Sequence, residues 1–239
     1  MSKKDKVKLI KFWAATKDVE SSIEIPVPAF KKVPTWYKNL PKTHTSGVNR
    51  VTINDSGVSN AGLKSCMPYL DAMNFGYIIE LHCDVQVILE EDGSQSIRWS
   101  SAVPPISARS LNIANQIPEC IGFGSFTQAW EIPYAFKLPK GYSALVTQPL
   151  NRTDLPTFVT SGIIDADDHL GPGGAPFAIR RDFQGVIPLG TPIMQIIPFK
   201  RDRWKSKKID MVFLNGDTRS RNYISGWYVR SIWKKKSYQ

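Results

Sequence analysis

The sequence is poor in the features that define several common protein classes. It has 3 cysteines in 239 residues, Cys66, Cys83 and Cys120, and no two of them are close in sequence. Their spacing predicts neither a disulfide framework nor a four-ligand zinc site, and it favours a reducing compartment. No segment reaches the roughly 18 consecutive apolar residues of a membrane-spanning helix, so we expect no membrane insertion. The first residues carry no secretory or lipidation signal, which predicts a cytoplasmic protein.

Motifs for bound cofactors and for nucleophilic catalysis are also lacking. The sequence has no Walker or Rossmann glycine pattern, and none of its 3 histidines lies beside a Gly-x-Ser-x-Gly elbow. No cysteine has an activating partner nearby in sequence. We therefore expect no cofactor, and the residue types and spacings predict no resident metal.

Acidic residues are the scarcer charged class, with 21 Asp and Glu against 31 Lys and Arg and a net charge of +10. This excess favours polyanions or acidic protein surfaces as partners. Six basic residues surround Trp204 within residues 200–208. Positive charge with a stacking aromatic is the minimum for single-stranded nucleic acid, although a solvated loop has the same composition. The predicted polyanion-binding residues are Lys200, Arg201, Arg203, Trp204, Lys205, Lys207 and Lys208.

Composition and periodicity favour a globular β-protein. Hydrophobic residues make up 42% of the chain and charged residues 22%, which excludes bulk disorder. Prolines gather at the ends of short apolar runs, as in proteins built from strands and turns. We expect an all-β, mainly antiparallel single domain, barrel-like or sandwich, with at most one or two short helices. An extended N-terminal arm and loop would occupy residues 1–62, packed on a β-domain of residues 63–239.

Residues 76–89 form the best predicted strand, with apolar side chains alternating along it. Its opposite face carries Glu80, His82 and Asp84, which could flank a metal or substrate or form a hydrogen-bonded outer face. Asp92-Gly93 predicts the following hairpin turn. A helix is predicted near residues 63–73, a loop over residues 43–62 and a last strand over residues 209–214.

The densest chemical signature is an acidic loop within residues 161–169, which carries Asp165, Asp167, Asp168 and His169. Closely spaced carboxylates bind hard cations, or one of them acts as a base toward water. A structural interpretation also applies, in which Asp165 caps a turn by accepting backbone N–H groups. The residues alone leave both readings open.

Three blocks resemble motifs of the trimeric dUTPase and dCTP deaminase group. They are the Pro139-Lys140-Gly141 turn, an acidic block and a closing strand. The matching residues are Gly162, Ile164, Asp165 and Asp167 in the acidic block, and Gly190, Ile193 and Gln195 in the closing strand. The resemblance implies a β-clip fold, a homotrimer, Asp165 and Asp167 as catalytic residues, and magnesium if the chain is an enzyme. It further implies ligand or phosphate contacts, at Asn151, Arg152, Asp168, His169 and Gln195.

The chain departs from that group where the chemistry would occur. Asp168 stands in the place of the group's Tyr, His169 in the place of its Arg, and Leu150-Asn151 in the place of its Arg-Ser. Each missing charged hydrogen bond costs about 1.5 to 3 kcal/mol, so two or three losses lower catalysis by several powers of ten. These departures favour a protein that keeps the fold of the group and lacks its catalytic activity.

Most of the chain is similar to an uncharacterised family of bacterial and tailed-phage proteins. The similar segments are Pro34-Thr35-Trp36-Tyr37, residues 66–72, Gly76-Tyr77 and residues 139–204. This family brings no established activity. We predict a non-catalytic binding or structural protein related to phages, either virion-associated or ligand-binding. The alternatives are a metal-dependent nucleotide pyrophosphatase-like enzyme and a single-stranded nucleic-acid or polyanion binder.

Overall fold

The structure is a computed structural model that describes residues 7–41, 62–168, 173–208 and 230–236. Three predicted features lie outside these residues, namely His169, most of the loop at residues 43–62 and the strand at residues 209–214. Within the described residues, no helix has the length and apolar character needed to cross a membrane.

Short strands dominate the described part of the chain. They are β1 Lys11–Ala14, β2 Val27–Pro28, β3 Tyr77–Glu80, β4 Val85–Leu89, β5 Gln95–Trp99, β6 Ile106–Ala108, β7 Gln128–Glu131, β8 Tyr134–Lys137, β9 Tyr142–Thr147, β10 Thr157–Val159, β11 Gly162–Ile164, β12 Gly174–Ile179, β13 Gly185–Ile187 and β14 Pro192–Lys200. Every pairing between these strands is antiparallel. The predicted all-β, mainly antiparallel fold is confirmed.

The strands form four sheets. Their orders are β1-β8, β10-β12-β7-β6, β11-β9-β14-β3-β2 and β13-β4-β5. In the five-stranded sheet β14 lies at the centre, and residues 193–197 are buried, as their two apolar faces predict. The short strand β2 lies at the edge, where Pro28 removes no hydrogen bond from the ladder.

Helices are few and short, although the described residues contain more than the one or two expected. They are α1 Lys17–Ser22, α2 Thr35–Lys38, α3 Met67–Asn74 and α4 Leu111–Ala114, with 3-10 turns at Ala29–Lys32 and Leu63–Ser65. Helix α3 is the predicted one and carries Pro68 in its first turn, where the missing N–H is not needed. Helix α1 begins at Thr16, whose hydroxyl accepts a hydrogen bond from the Val19 N–H at 3.2 Å.

A stacked aromatic pair lies at the centre of the hydrophobic core. Trp130 on β7 and Phe177 on β12 are fully buried, with ring centroids 4.0 Å apart and planes 9° from parallel. Their neighbours Ala129 and Ala178 point to the opposite side of the sheet and are also fully buried, so both faces of these strands are covered there. Burial of side chains this large dominates core energetics.

The chain groups into two compact units. The first comprises residues 1–29 and 76–201 and contains all the strands, and the second comprises residues 30–75 and 202–239. Within the second unit, the Trp233 indole N–H donates to the Asp71 carboxylate at 2.9 Å, and Tyr37 stacks on Tyr69. The predicted division at residue 62 stays a prediction.

The predicted strand at residues 76–89 is interrupted. It forms β3 in one sheet and β4 in another, because the intervening backbone bonds to the loop before β14. The Leu81 N–H donates to the Thr191 carbonyl at 2.9 Å, and the Asp84 carboxylate accepts the Leu189 N–H at 2.7 Å. His82 lies 2.9 Å from the Val103 carbonyl. Glu80, His82 and Asp84 therefore do not share one face of a single strand.

The residues predicted as one closing block, 185–197, are likewise divided between two sheets. Strand β13 pairs with β4, and β14 pairs with β3 and β9. Gly190 lies between them with φ of 80°, a conformation that favours glycine. The strand β12 pairs with β10 and β7 and so lies in a different sheet from β14.

Gly76→Ala should destabilise the protein far more than Gly93→Ala. Both glycines have positive φ, 75° and 81°, so each alanine variant carries about 1 to 2 kcal/mol of backbone strain. At Gly76 the new Cβ would also lie 2.0 Å from the Ile196 carbonyl oxygen of the central strand, whereas nothing lies within 4 Å at Gly93. We expect a loss above roughly 3 kcal/mol for Gly76→Ala. The free energy of unfolding of both variants is measured by denaturant titration. Equal losses in the two variants would contradict the close approach of Gly76 to the Ile196 carbonyl.

Candidate functional site

The acidic loop after β11 lies against Arg201, the residue that follows β14. Strand β9 pairs with both β11 and β14, so the loop, the start of β9 and Arg201 lie together at the same end of these three strands. The Arg201 N–H donates to the Gly141 carbonyl at 2.9 Å, which extends the β14 and β9 pairing by one bond. We call Asp165, Asp167, Ser143 and Arg201 the acidic node.

Asp167 is the buried member of the acidic node, with 8% of the residue exposed. Its carboxylate accepts hydrogen bonds from both terminal nitrogens of Arg201, with Nη1 at 2.7 Å. It also accepts the Gly141 N–H, at 2.7 Å. The hydrogen bond from Arg201, followed by the one from Gly141, lowers the pKa of Asp167 to about 2. The charge of Asp167 is therefore fixed at any physiological pH.

Asp165 is the exposed member. Its Oδ1 accepts the Ser143 hydroxyl at 2.6 Å and Arg201 Nη1 at 3.1 Å. The Ser143 hydrogen bond is the largest cause that lowers the pKa of Asp165, and the bond from Arg201 acts in the same direction. The pKa of Arg201 is raised in turn, chiefly by its hydrogen bond to Asp167.

This arrangement is a hydrogen-bonded ion-pair network. A carboxylate with a depressed pKa is a weak general base, because catalytic efficiency is greatest near the operating pH. Among the described residues, no group of three or more His, Cys, Asp or Glu side chains is placed to hold a metal ion. A backbone cap of the predicted kind forms at Asp167, which accepts the Gly141 N–H, whereas the hydrogen bonds that the Asp165 carboxylate accepts within the described residues come from side chains. The catalytic assignment of Asp165 and Asp167 stays a prediction.

Two of the predicted ligand residues shape a turn after β9. Gln195 is fully buried on β14, and its Oε1 accepts the Leu150 N–H at 2.7 Å. Asn151 has φ of 60°, and it is the only non-glycine residue of the described chain with positive φ. The Arg152 guanidinium forms two hydrogen bonds of 2.8 Å to Asp154. Arg152 therefore already has a counter-charge, and Gln195 acts on the turn from inside the core.

An open groove of about 400 Å³ borders Arg152 and Asp154. Its opposite wall comprises β13 and the following turn, where Val186 and Leu189 are exposed. Neither Asp165 nor Asp167 lines this groove. The structure thus divides the predicted site residues between the acidic node and the turn after β9. Asp168 lies exposed in the acidic loop, where its N–H donates to the Asp165 carbonyl at 3.1 Å.

The basic segment, residues 202–208, is exposed throughout its length. The Trp204 side chain is 89% exposed and therefore accessible for stacking. Arg201, predicted to belong with this segment, is instead held by the two carboxylates of the acidic node. Lys200 ends β14 in the first unit, whereas residues 202–208 belong to the second.

Sequence reasoning missed Ser143 and the role of Arg201. Ser143 is fully buried, and its position two residues after Gly141 in the Pro-Lys-Gly turn is a signal that could have identified it. Arg201 gave no such signal, because its two carboxylate partners lie 34 and 36 residues earlier in the chain.

Asp167→Asn should lower the thermal midpoint by several degrees at pH 7. A carboxyl whose folded pKa is depressed stabilises the fold above its unfolded value of 3.8, and this contribution is lost as the pH falls through about 2. The difference between variant and wild type should therefore shrink between pH 4 and pH 2. Midpoints from circular dichroism across this range measure it.

The matched control is Asp168→Asn, which removes an exposed carboxylate from the same loop. Its midpoint should stay within about 1 °C of the wild type. If Asp167→Asn were as stable as wild type at pH 7, the node would not contribute to stability.

Comparisons with known proteins find distant similarity only. No family model matches the sequence, and no curated protein sequence matches it. A mutant dUTPase from phage phi11 of S. aureus, whose structure describes the coordination of a structural Mg(II) ion, is 12% identical, with 86% of this chain and 99% of that chain covered and a TM-score of 0.34. A mutant dUTPase of Staphylococcus bacteriophage 80alpha, from work on phage dUTPases that control transfer of virulence genes, is 11% identical, with 85% and 97% covered and a TM-score of 0.33. TM-scores this low establish neither a shared fold nor a shared activity.

Proposed function

We propose that this protein is a non-catalytic binding protein. The observation that carries the proposal is the engagement of Asp165 and Asp167 by a single guanidinium, Arg201. A carboxylate that activates water must have a lone pair directed at the water and a pKa near the working pH. In the acidic node the depressed pKa of each carboxylate opposes proton uptake, and Ser143 and Arg201 both donate to Oδ1 of Asp165.

The turn after β9 supports the same conclusion. Phosphate recognition there would require donors that are not already paired. Arg152 is satisfied bidentately by Asp154, and the Leu150 N–H is satisfied by Gln195. A phosphate bound to the remaining N–H groups of Arg152 would lie beside the Asp154 carboxylate, whose negative charge opposes it.

We expect no pyrophosphate release above background from any deoxynucleoside triphosphate, with or without magnesium. The physical reason is the weak basicity of Asp165 and Asp167, together with the Asp154 carboxylate, which neutralises the charge of Arg152. A coupled phosphate assay on the full chain measures the rate.

One outcome would promote the enzyme alternative to first place. It is a turnover above about 0.1 per second that Asp165→Asn abolishes and that the exposed control Asp18→Asn retains. Magnesium dependence of that turnover would add the metal to the active species.

A second candidate function is polyanion contact through the basic segment. Arg203, Lys205, Lys207 and Lys208 form no ion pair within the described part of the chain, so their charges face solvent. Trp204 supplies an exposed ring among them. Bases stack on such rings with little sequence preference, and lysine and arginine release counterions from the phosphates. Single-stranded nucleic acid fits this chemistry, as does an acidic virion surface.

Changing Lys205, Lys207 and Lys208 to Gln should weaken binding to single-stranded DNA. Each lost phosphate contact flattens the dependence of log affinity on log salt by about 0.7, so the slope should decrease by about 2. The control changes Lys17, Lys31 and Lys137 to Gln, which are exposed elsewhere and remove the same net charge. Fluorescence anisotropy at several salt concentrations compares the three proteins. If both triple variants weaken DNA binding equally, the effect comes from overall charge and not from the basic segment.

The proposal extends to partners and assembly. The resemblances in the sequence support association with a virion, and the resemblance to trimeric dUTPases supports a homotrimer. Either would place several copies of the basic segment on one particle, and multivalent contact raises avidity without new chemistry. Cytoplasmic synthesis in the producing or host cell belongs to the same proposal.

A further inference from the structure

A polar pocket of about 300 Å³ lies in the first unit, away from the acidic node. Three separate elements enclose it, namely the start of β5 with its hairpin turn, the loop that precedes β7 and the end of β12. The pocket shares no residue with the groove beside Arg152 or with residues 202–208. Ligand binding here is therefore independent of the chemistry of the acidic loop.

The walls of the pocket are fixed by hydrogen bonds between distant segments. The Gly124 N–H donates to the Ile179 carbonyl at 2.8 Å, and the Arg181 N–H donates to the Gly122 carbonyl at 3.0 Å. The Gln95 amide nitrogen donates to the Arg180 and Phe183 carbonyls at 2.9 and 2.8 Å. A site formed before the ligand arrives loses little conformational entropy on binding.

Three polar side chains of the pocket have no hydrogen-bond partner in the described part of the chain. Within the described residues, the side chains of Ser125, Thr127 and Gln128 make no hydrogen bond. Two hydroxyls and an amide offer donors and acceptors together. The amide oxygen of Gln95 adds an acceptor, because its nitrogen is held by two carbonyls.

The charges of the pocket cancel. Glu119 and Arg181, the two charged lining residues, form an ion pair, and each side chain is more than half exposed. A paired guanidinium offers an anion little net field, so phosphates and carboxylates are disfavoured. None of the lining residues is aromatic, so the pocket offers no surface on which a nucleobase would stack.

We propose that this pocket binds a small neutral polyhydroxylated molecule, of the size of a monosaccharide. Hydroxyl groups both donate and accept, which matches the mixed set formed by Gln95, Ser125, Thr127 and Gln128. The volume is at the lower end of ligand pockets and suits one sugar ring rather than a chain of them. Ile97 and Ile179 supply the apolar wall against which the C–H face of a ring packs.

The test is titration of the full-length ¹⁵N-labelled protein with ribose and with glucose, followed by NMR. Saturable shifts are expected at the side-chain amides of Gln95 and Gln128, at sugar concentrations up to about 50 mM. No saturable shift with either sugar, or shifts confined to other residues, overturns the proposal. Ribose 5-phosphate is the third probe, and tenfold tighter binding than ribose would identify an anion site instead.

The variant that tests the contacts combines Ser125→Ala with Thr127→Val. It removes both hydroxyls while nearly keeping the volume, and the affinity should fall about tenfold. The control Ser100→Ala removes an exposed hydroxyl outside the pocket and should leave the affinity unchanged. If the double variant does not fold, the exposed Ser125→Ala alone should weaken binding about threefold. Full affinity in a folded variant contradicts the proposal.

Discussion

The guanidinium of Arg201 connects three segments that are far apart in the sequence. It bonds to Asp167 and Asp165 in the acidic loop and to the Ser143 hydroxyl and Tyr142 carbonyl on β9, while its own backbone follows β14. A planar fork of donors fits this set of oxygens, whereas the point charge of a lysine would satisfy only part of it. The acidic loop owes its position to this contact. The same contact is the largest cause of the lowered pKa of Asp167, so the order of the loop and the weak basicity of that carboxylate have one cause.

The opposite part of β14 depends on a different polar group. Gln195 places an amide in the hydrophobic core, where an unsatisfied polar atom would cost about 1 to 3 kcal/mol. Its oxygen accepts the Leu150 N–H, which fixes the turn that contains Asn151 in the left-handed conformation. One buried strand thus determines the loops at both of its ends through side chains and not through backbone pairing alone. Hydrophobic burial holds the strand, and Arg201 and Gln195 make its register specific.

The surfaces that remain for partners differ in charge. In the basic segment around Trp204, four cations form no ion pair with any residue that the structure describes, which suits the long anionic ligands proposed for it. The pocket beside Thr127 combines neutral donors and acceptors with the paired charges of Glu119 and Arg181. Electrostatic attraction to the first weakens with salt, whereas hydrogen bonding in the second does not depend on it. Under the two proposals made above, these surfaces would select different ligand classes.

The sequence by itself determined the features that depend on neighbouring residues. Apolar alternation predicted strands within residues 76–89, Asp92-Gly93 predicted the hairpin between β4 and β5, and side-chain spacing predicted α3. These follow from side-chain periodicity and from φ preferences, which act over a few residues.

Tertiary structure decided the rest. Alternation continues through residues 81–84, yet the strand breaks there because Asp84 bonds to Leu189, 105 residues away. In the sequence Arg201 is one of several cations in a basic stretch, and only the pairing of β14 and β11 with β9 brings it to Asp165 and Asp167. Local patterns cannot encode such contacts, because the partner of a charge or a hydrogen-bond donor is chosen by the folded chain.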